Sequence, residues 1–176
     1  MSSSLDRWFR PVLGRPCWGV RRGWGSFLTL EFGRPRLLVR EPVSDLEKFS
    51  TKEARELFQL RQVTVRGQWH LWIYCCDWTV HHRGRLVGDS SSPRRIDRAA
   101  WYLDGQKLVD VSLAPRGARV HLTFDLGAVL TTVPYSRREE QWMLYEPGGN
   151  VLTFRADRHY CYAIAAGGIQ RWRRAA

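Results

Sequence analysis

The stretch that decides the fold is Trp69-His70-Leu71-Trp72-Ile73-Tyr74-Cys75-Cys76-Asp77-Trp78-Thr79-Val80-His81-His82. It reads as one long strand from Trp69 to Val80, running out into a loop at His81 and His82. On an extended chain alternate side chains share a face. Trp69, Leu71, Ile73, Cys75, Asp77, Thr79 and His81 fall on one side, and His70, Trp72, Tyr74, Cys76, Trp78, Val80 and His82 on the other. Both faces are largely apolar, which marks a central strand covered on both sides. Asp77 then stands among Trp, Leu, Ile and Cys, where a carboxylate needs a partner because isolated burial of charge is very costly.

Upstream, Val63-Thr64-Val65 leads through Gly67 into this run. Ser50 and Glu53 fit a capping box for a helix that carries Ala54, Leu57 and Phe58 on one face, with Ser44 and Glu47 offering an earlier start. Still earlier, Phe27 to Phe32 alternates around Thr29 and Glu31 as a half-buried strand. Gly33-Arg34-Pro35 turns it into a return strand at Leu37 to Val39. Downstream, Ser92 reads as an N-cap with Pro93 at the first helical position. Ile96, Ala99, Ala100 and Leu103 follow at helical spacing, and Gly105 stops the helix. Further strands are expected at Leu108 to Leu113, Val120 to Leu126, Val129 to Val133, Trp142 to Tyr145, Val151 to Phe154 and Tyr160 to Ile164.

These elements add up to an α+β fold, a mostly antiparallel twisted sheet of about nine or ten strands with two helices. Residues 1–25 read as an irregular basic arm whose Trp8, Phe9, Trp18 and Trp24 pack back on the body. Residues 26–166 form a single domain and 167–176 a basic tail. A faint internal repeat aligns Leu28-Thr29-Leu30-Glu31-Phe32-Gly33 with Leu122-Thr123-Phe124-Asp125-Leu126-Gly127, and Gln68-Trp69-His70-Leu71-Trp72 with Gln141-Trp142-Met143-Leu144-Tyr145. Duplicated β-units over 26–90 and 91–166 would explain both matches, as would the small repertoire of residues that strands use.

The formal net charge is +11, and of 28 basic residues only Lys48, Lys52 and Lys107 are lysines. Such an excess fits an anionic partner. It also follows from a GC-rich coding sequence, which favours Arg whatever the function. No signal-peptide h-region precedes the body, and the apolar run Leu71 to Cys76 is far too short to span a bilayer. Cys17, Cys75, Cys76 and Cys161 form no CxxC or zinc spacing, which points to a reducing cytoplasm and thiols used as small hydrophobes.

For chemistry, Asp77 and His81 are the weak catalytic candidates, an acid/base or metal pair at the strand end. Pairing of Asp77 with an Arg, or capping of a turn by it, is the structural alternative. Cys76 with a His could make a thiolate nucleophile, but no spacing singles it out. Glu31 and Asp125, each just before a Gly, could be paired acids or could satisfy the amides of their turns. No GxSxG, HExxH, Walker A or GxGxxG motif occurs, so no catalytic, metal or cofactor site is assigned and a non-enzyme is expected. For nucleic acid the residues are Arg21, Arg22 and Trp24 near the start and Arg171, Trp172 and Arg173 at the end, where guanidinium groups neutralise phosphates and Trp stacks on bases.

Pro16-Cys17-Trp18-Gly19, Gly25-Ser26-Phe27-Leu28-Thr29-Leu30-Glu31-Phe32-Gly33, Trp69-His70-Leu71-Trp72 and Phe124-Asp125-Leu126-Gly127 resemble segments of small bacterial proteins of toxin-immunity and adaptor-like build. The resemblance implies a bacterial cytoplasmic protein and no particular activity. Its basic charge departs from nuclease inhibitors, which are usually acidic. The expectation is a non-catalytic binding protein acting through a protein–protein surface, because Trp and Arg are frequent interface anchors. The alternatives are a nucleic-acid binder using the Arg/Trp-rich ends and a hydrolase or metal protein centred on Asp77 and His81. The sequence sets no oligomeric state.

Overall fold

In the computed structural model, which describes residues 5–136, 138–165, 167 and 171–175, the chain opens with a one-turn helix, α1 (Asp6–Phe9). There follow β1 (Cys17–Arg22), β2 (Leu28–Phe32), β3 (Arg36–Arg40), α2 (Lys52–Phe58), β4 (Gln62–Arg66), β5 (Trp69–Ile73), β6 (Cys76–His82) and β7 (Arg85–Asp89). Helix α3 (Pro93–Leu103) precedes β8 (Leu108–Leu113), β9 (Val120–Phe124), β10 (Ala128–Pro134), β11 (Glu140–Tyr145), β12 (Val151–Arg155), β13 (His159–Ala163) and β14 (Arg173–Arg174). Among the described residues the protein is thus mostly antiparallel β-sheet with three helices, richer in strands than the expected nine or ten.

The strands form a seven-stranded sheet ordered β1-β2-β5-β11-β12-β13-β14 and a five-stranded sheet ordered β7-β6-β10-β9-β8. A separate two-stranded ribbon pairs β3 with β4. Inner faces of both sheets share one core. Leu30, Phe32, Leu71, Ile73, Trp142, Leu144 and Phe154 come from the first, and Trp78, Val80, Leu122, Phe124 and Leu130 from the second. Helix α3 adds Ile96, Ala99 and Leu103, and the segment around α1 adds Leu5, Phe9 and Val12.

The expected long strand is two strands in two sheets. The chain bends at Tyr74 and Cys75, and Cys75 takes φ 48°, a left-handed conformation that interrupts the pleat. Leu71 and Ile73 point into the core before the bend, but Cys76, Trp78 and Val80 do so after it. The inward parity switches from odd to even positions. Asp77 therefore lies exposed, not buried, and the Ser90 hydroxyl donates to its Oδ1 at 2.8 Å.

Helix α3 forms as the sequence dictates, with Ser92 extended at the N-cap and Pro93 in the first turn. Its close seat on β7 depends on Gly88, where a Cβ would come within 2.4 Å of the Arg95 carbonyl oxygen and 2.7 Å of the Ala99 Cβ. Helix α2 starts one residue later than the Ser50 box, with the Thr51 hydroxyl accepting from the Ala54 amide at 3.2 Å.

Three further expectations are corrected. Residues 1–25 are not irregular throughout, because Cys17–Arg22 pairs with β2 as an edge strand. In that segment Trp8, Phe9 and Trp18 do pack back, but Trp24 stands 87% exposed. The return strand after Gly33 does not pair with β2. It pairs with β4, because β2 already has β1 and β5 on its two sides. The two sequence matches fall in unlike places. β5 and β11 are neighbours in one sheet, with Leu71 opposite Leu144. β2 and β9 lie in different sheets, so one repeated sheet unit does not describe this strand order. The proposed tail is described only in part, residues 168–170 and 176 lying outside the described residues.

Candidate functional site

In β4 half-buried and exposed residues alternate with the apolar ones outward, an inversion of the usual sense, while β3 is exposed from Arg36 to Val39. Residues directly opposite in an antiparallel ladder share a face. Leu37 faces Val65 and Val39 faces Val63, and these four side chains are between 46% and 69% exposed. On the other face Arg36 opposes Arg66 and Leu38 opposes Thr64. That face looks across the cleft to the seven-stranded sheet, with Thr64 and Arg66 half-buried but Arg36 and Leu38 still exposed. Leu57 and Leu60, in and just after α2, are exposed as well.

Between the ribbon's inner face and the outer face of the seven-stranded sheet lies a cleft of about 430 Å³. Arg36, Leu38 and Arg66 form its ribbon side, and Trp24, Phe27, Trp72 and Tyr145 its aromatic side. Trp72 stacks on Tyr74 with ring centroids 4.6 Å apart, and Phe27 meets Trp72 edge-on at 5.6 Å.

Beneath the cleft is a buried carboxylate. Glu31, 1% exposed, sits at the fourth position of β2 with its side chain toward the ribbon. Its Oε1 accepts from Arg66 Nη1 at 3.0 Å and from His70 Nδ1 at 2.9 Å, while Oε2 accepts the Gly67 amide at 2.9 Å. Arg66 Nη1 also lies 2.9 Å from both ring nitrogens of His70, over the imidazole. Gly67 allows the approach, since a Cβ there would come within 2.5 Å of the Phe32 carbonyl oxygen. Burial by itself would raise the Glu31 carboxyl. The hydrogen bond and charge of His70, the Gly67 amide and the Arg66 guanidinium outweigh it and hold the carboxyl below its ordinary value.

The residues singled out from sequence do not assemble. Asp77 and His81 lie on one face of β6 but four residues apart, about 13 Å along an extended strand, too far to share a proton or a metal. Asp77 bonds Ser90 and His81 pairs in the ladder opposite Val129. Among the described residues no group of three or more His, Cys, Asp or Glu is placed to hold a metal ion. Glu31 lies in β2 and Asp125 in the turn after β9 of the other sheet, where it accepts the Lys107 amide at 2.8 Å, the turn role. Cys17, Cys75 and Cys76 are free thiols. Burial pushes the Cys17 thiol up to about 12 and raises that of Cys76 as well, the opposite of an activated nucleophile.

Arg21 and Arg22 lie in β1 and Arg173 in β14, the opposite edges of a seven-stranded sheet. Six strand spacings put about 29 Å between them, so the two Arg/Trp ends are not one site. At the near edge Arg22 lies 3.7 Å from Asp97, and Trp24 reaches the cleft. At the far edge Arg155 sits 4.3 Å over the Trp172 ring, and Arg171 borders a groove with Trp8 and Tyr162.

Sequence reasoning missed Arg36, Arg66, His70, Trp72 and Tyr145 as a group. The available signal was Glu31 itself, a carboxylate inside the alternating strand Leu28–Phe32, which demands a cation from elsewhere in the chain. No helix among the described residues is long and apolar enough to cross a membrane. Compared with known proteins, the chain matches no family model, no curated protein and no solved structure.

Proposed function

We propose that the protein works by binding another protein, through the β3–α2–β4 ribbon and the cleft beneath it. The observation that carries this is the inverted ribbon: Leu37, Val39, Val63 and Val65 form an aliphatic face turned to solvent. An apolar patch of this kind marks an interaction site in a folded chain. Trp24 and the Arg36–Arg66 pair line the cleft on the ribbon's other face, and Trp and Arg are the side chains that most often anchor interfaces. A bacterial, reducing cytoplasm belongs to this reading, in keeping with the free thiols of Cys17, Cys75 and Cys76. The test compares the intact chain with Leu37→Ser/Val65→Ser in capture from its native host. A specific partner should be retained by the first and lost by the second. Equal retention, or no partner at all, rejects the proposal.

A second reading rests on a different observation: Arg21 and Arg22 on the outer edge strand lead into the exposed Trp24. This arrangement would suit single-stranded nucleic acid. Its signature is a linear fall of log affinity with log salt that persists into the physiological range and is abolished by Arg21→Ala/Arg22→Ala. Binding that vanishes near physiological salt removes it.

A further inference from the structure

We infer that the cleft receives an acidic, extended segment of the protein partner, with a carboxylate seated between Arg36 and Arg66. The inference rests on the protein-binding reading above and adds the chemistry of what is bound. Arg36 and Arg66 stand directly opposite each other in the ladder, where like charges destabilise the pair. Glu31 answers only one of them. Both its oxygens are already committed to Arg66, His70 and Gly67. Arg36 has no acidic partner among the described residues, and it lines the cleft. An incoming carboxylate supplies the missing counter-charge, in the forked geometry that guanidinium favours.

At Trp72 the wall suits side chains better than nucleobases, while Trp24 keeps an open ring face. Trp72 has Tyr74 stacked on one face and Phe27 against it edge-on. Little open ring face remains there for a base to stack on, whereas apolar side chains fit against ring edges and against Leu38. The aliphatic face on the other side of the ribbon has no counterpart in a nucleic acid. Each ribbon strand is hydrogen-bonded on one side only, so the backbone can also pair with an extended segment. The net charge of +11 steers an acidic segment toward the protein.

The test is selection from a random heptapeptide library displayed on phage, using the intact chain, with Arg36→Glu in parallel. Arg36 is exposed, so the variant leaves the core untouched. Peptides selected on the natural chain should be rich in Asp and Glu next to apolar residues. A selected peptide should bind at least about tenfold more tightly than its Asn/Gln counterpart. The acidic preference should disappear, or reverse, with Arg36→Glu. Apolar peptides without acidic enrichment, lost on Leu37→Ser/Val65→Ser but indifferent to Arg36→Glu, overturn the inference and leave the protein-binding reading standing. Selection of no peptides, with an oligo-dT strand bound in an Arg36-dependent way, overturns both.

Discussion

The body and the ribbon use the same alternation in opposite senses. In β5 and β11, Leu71, Ile73, Trp142 and Leu144 turn into the core. In β3 and β4, Leu37, Val39, Val63 and Val65 turn to water while the polar face covers Glu31. Alternation thus specifies that a strand has two unlike faces, not which of them is covered. The covering is decided by what the rest of the chain supplies. The ribbon has no sheet above it, and helix α2 buries none of its own residues. An uncovered two-stranded ribbon is marginal on its own, so its buried anchor at Glu31 carries much of its attachment.

Substitutions sort along this contrast. The largest effect is expected at Trp142, which is buried with its ring 5.1 Å from Phe154 and 5.4 Å from Phe9. Trp142→Ala should destabilise the fold by about 3–5 kcal/mol in urea unfolding. A loss below about 1 kcal/mol would mean that the inner sheet faces are not the core. Next comes Glu31→Ala, which leaves Arg66 and His70 without their counter-charge and should cost about 3 kcal/mol.

The same anchor predicts a pH dependence. The folded-state carboxyl of Glu31 lies below its unfolded value of about 4.3. Its contribution is therefore present above that pH and is lost as pH falls through the folded value. Unfolding midpoints measured downward from neutral pH should show this acid limb, and Glu31→Gln should flatten it. An unchanged limb in the variant would assign the acid sensitivity to other groups.

Gly88→Ala sharpens the contrast from the body side. The added Cβ must push α3 away from β7, at about 1–3 kcal/mol. The smallest effect belongs to the ribbon's outer face. Val63→Ser should move stability by no more than about 0.5 kcal/mol, and a loss near that of Trp142→Ala would show the face to be covered after all.

Most of the strands were legible in the sequence because alternation and turn residues are local signals. Leu108–Leu113 and the helix after Ser92 fall where those signals put them. The break at Cys75 was not legible. A left-handed residue inside an apolar run carries no compositional mark, and missing it reversed the face of every residue after it, including Asp77. The edge strand Cys17–Arg22 escaped because its Gly and Arg content obscures alternation, and only pairing with β2 makes it a strand. For the cleft, Glu31 was visible as an acid in a strand, but its partners Arg66 and His70 lie 35 and 39 residues away. Joining them depends on the ribbon folding back over β2 and β5, which no local pattern encodes.

Hydrogen–deuterium exchange of the intact chain, free and bound to the protein it retains from its host, tests the central claim most directly. New protection is predicted at residues 36–40 and 62–66, with the five-stranded sheet unchanged. Protection confined to the five-stranded sheet, with the ribbon exchanging as in the free chain, would contradict the account.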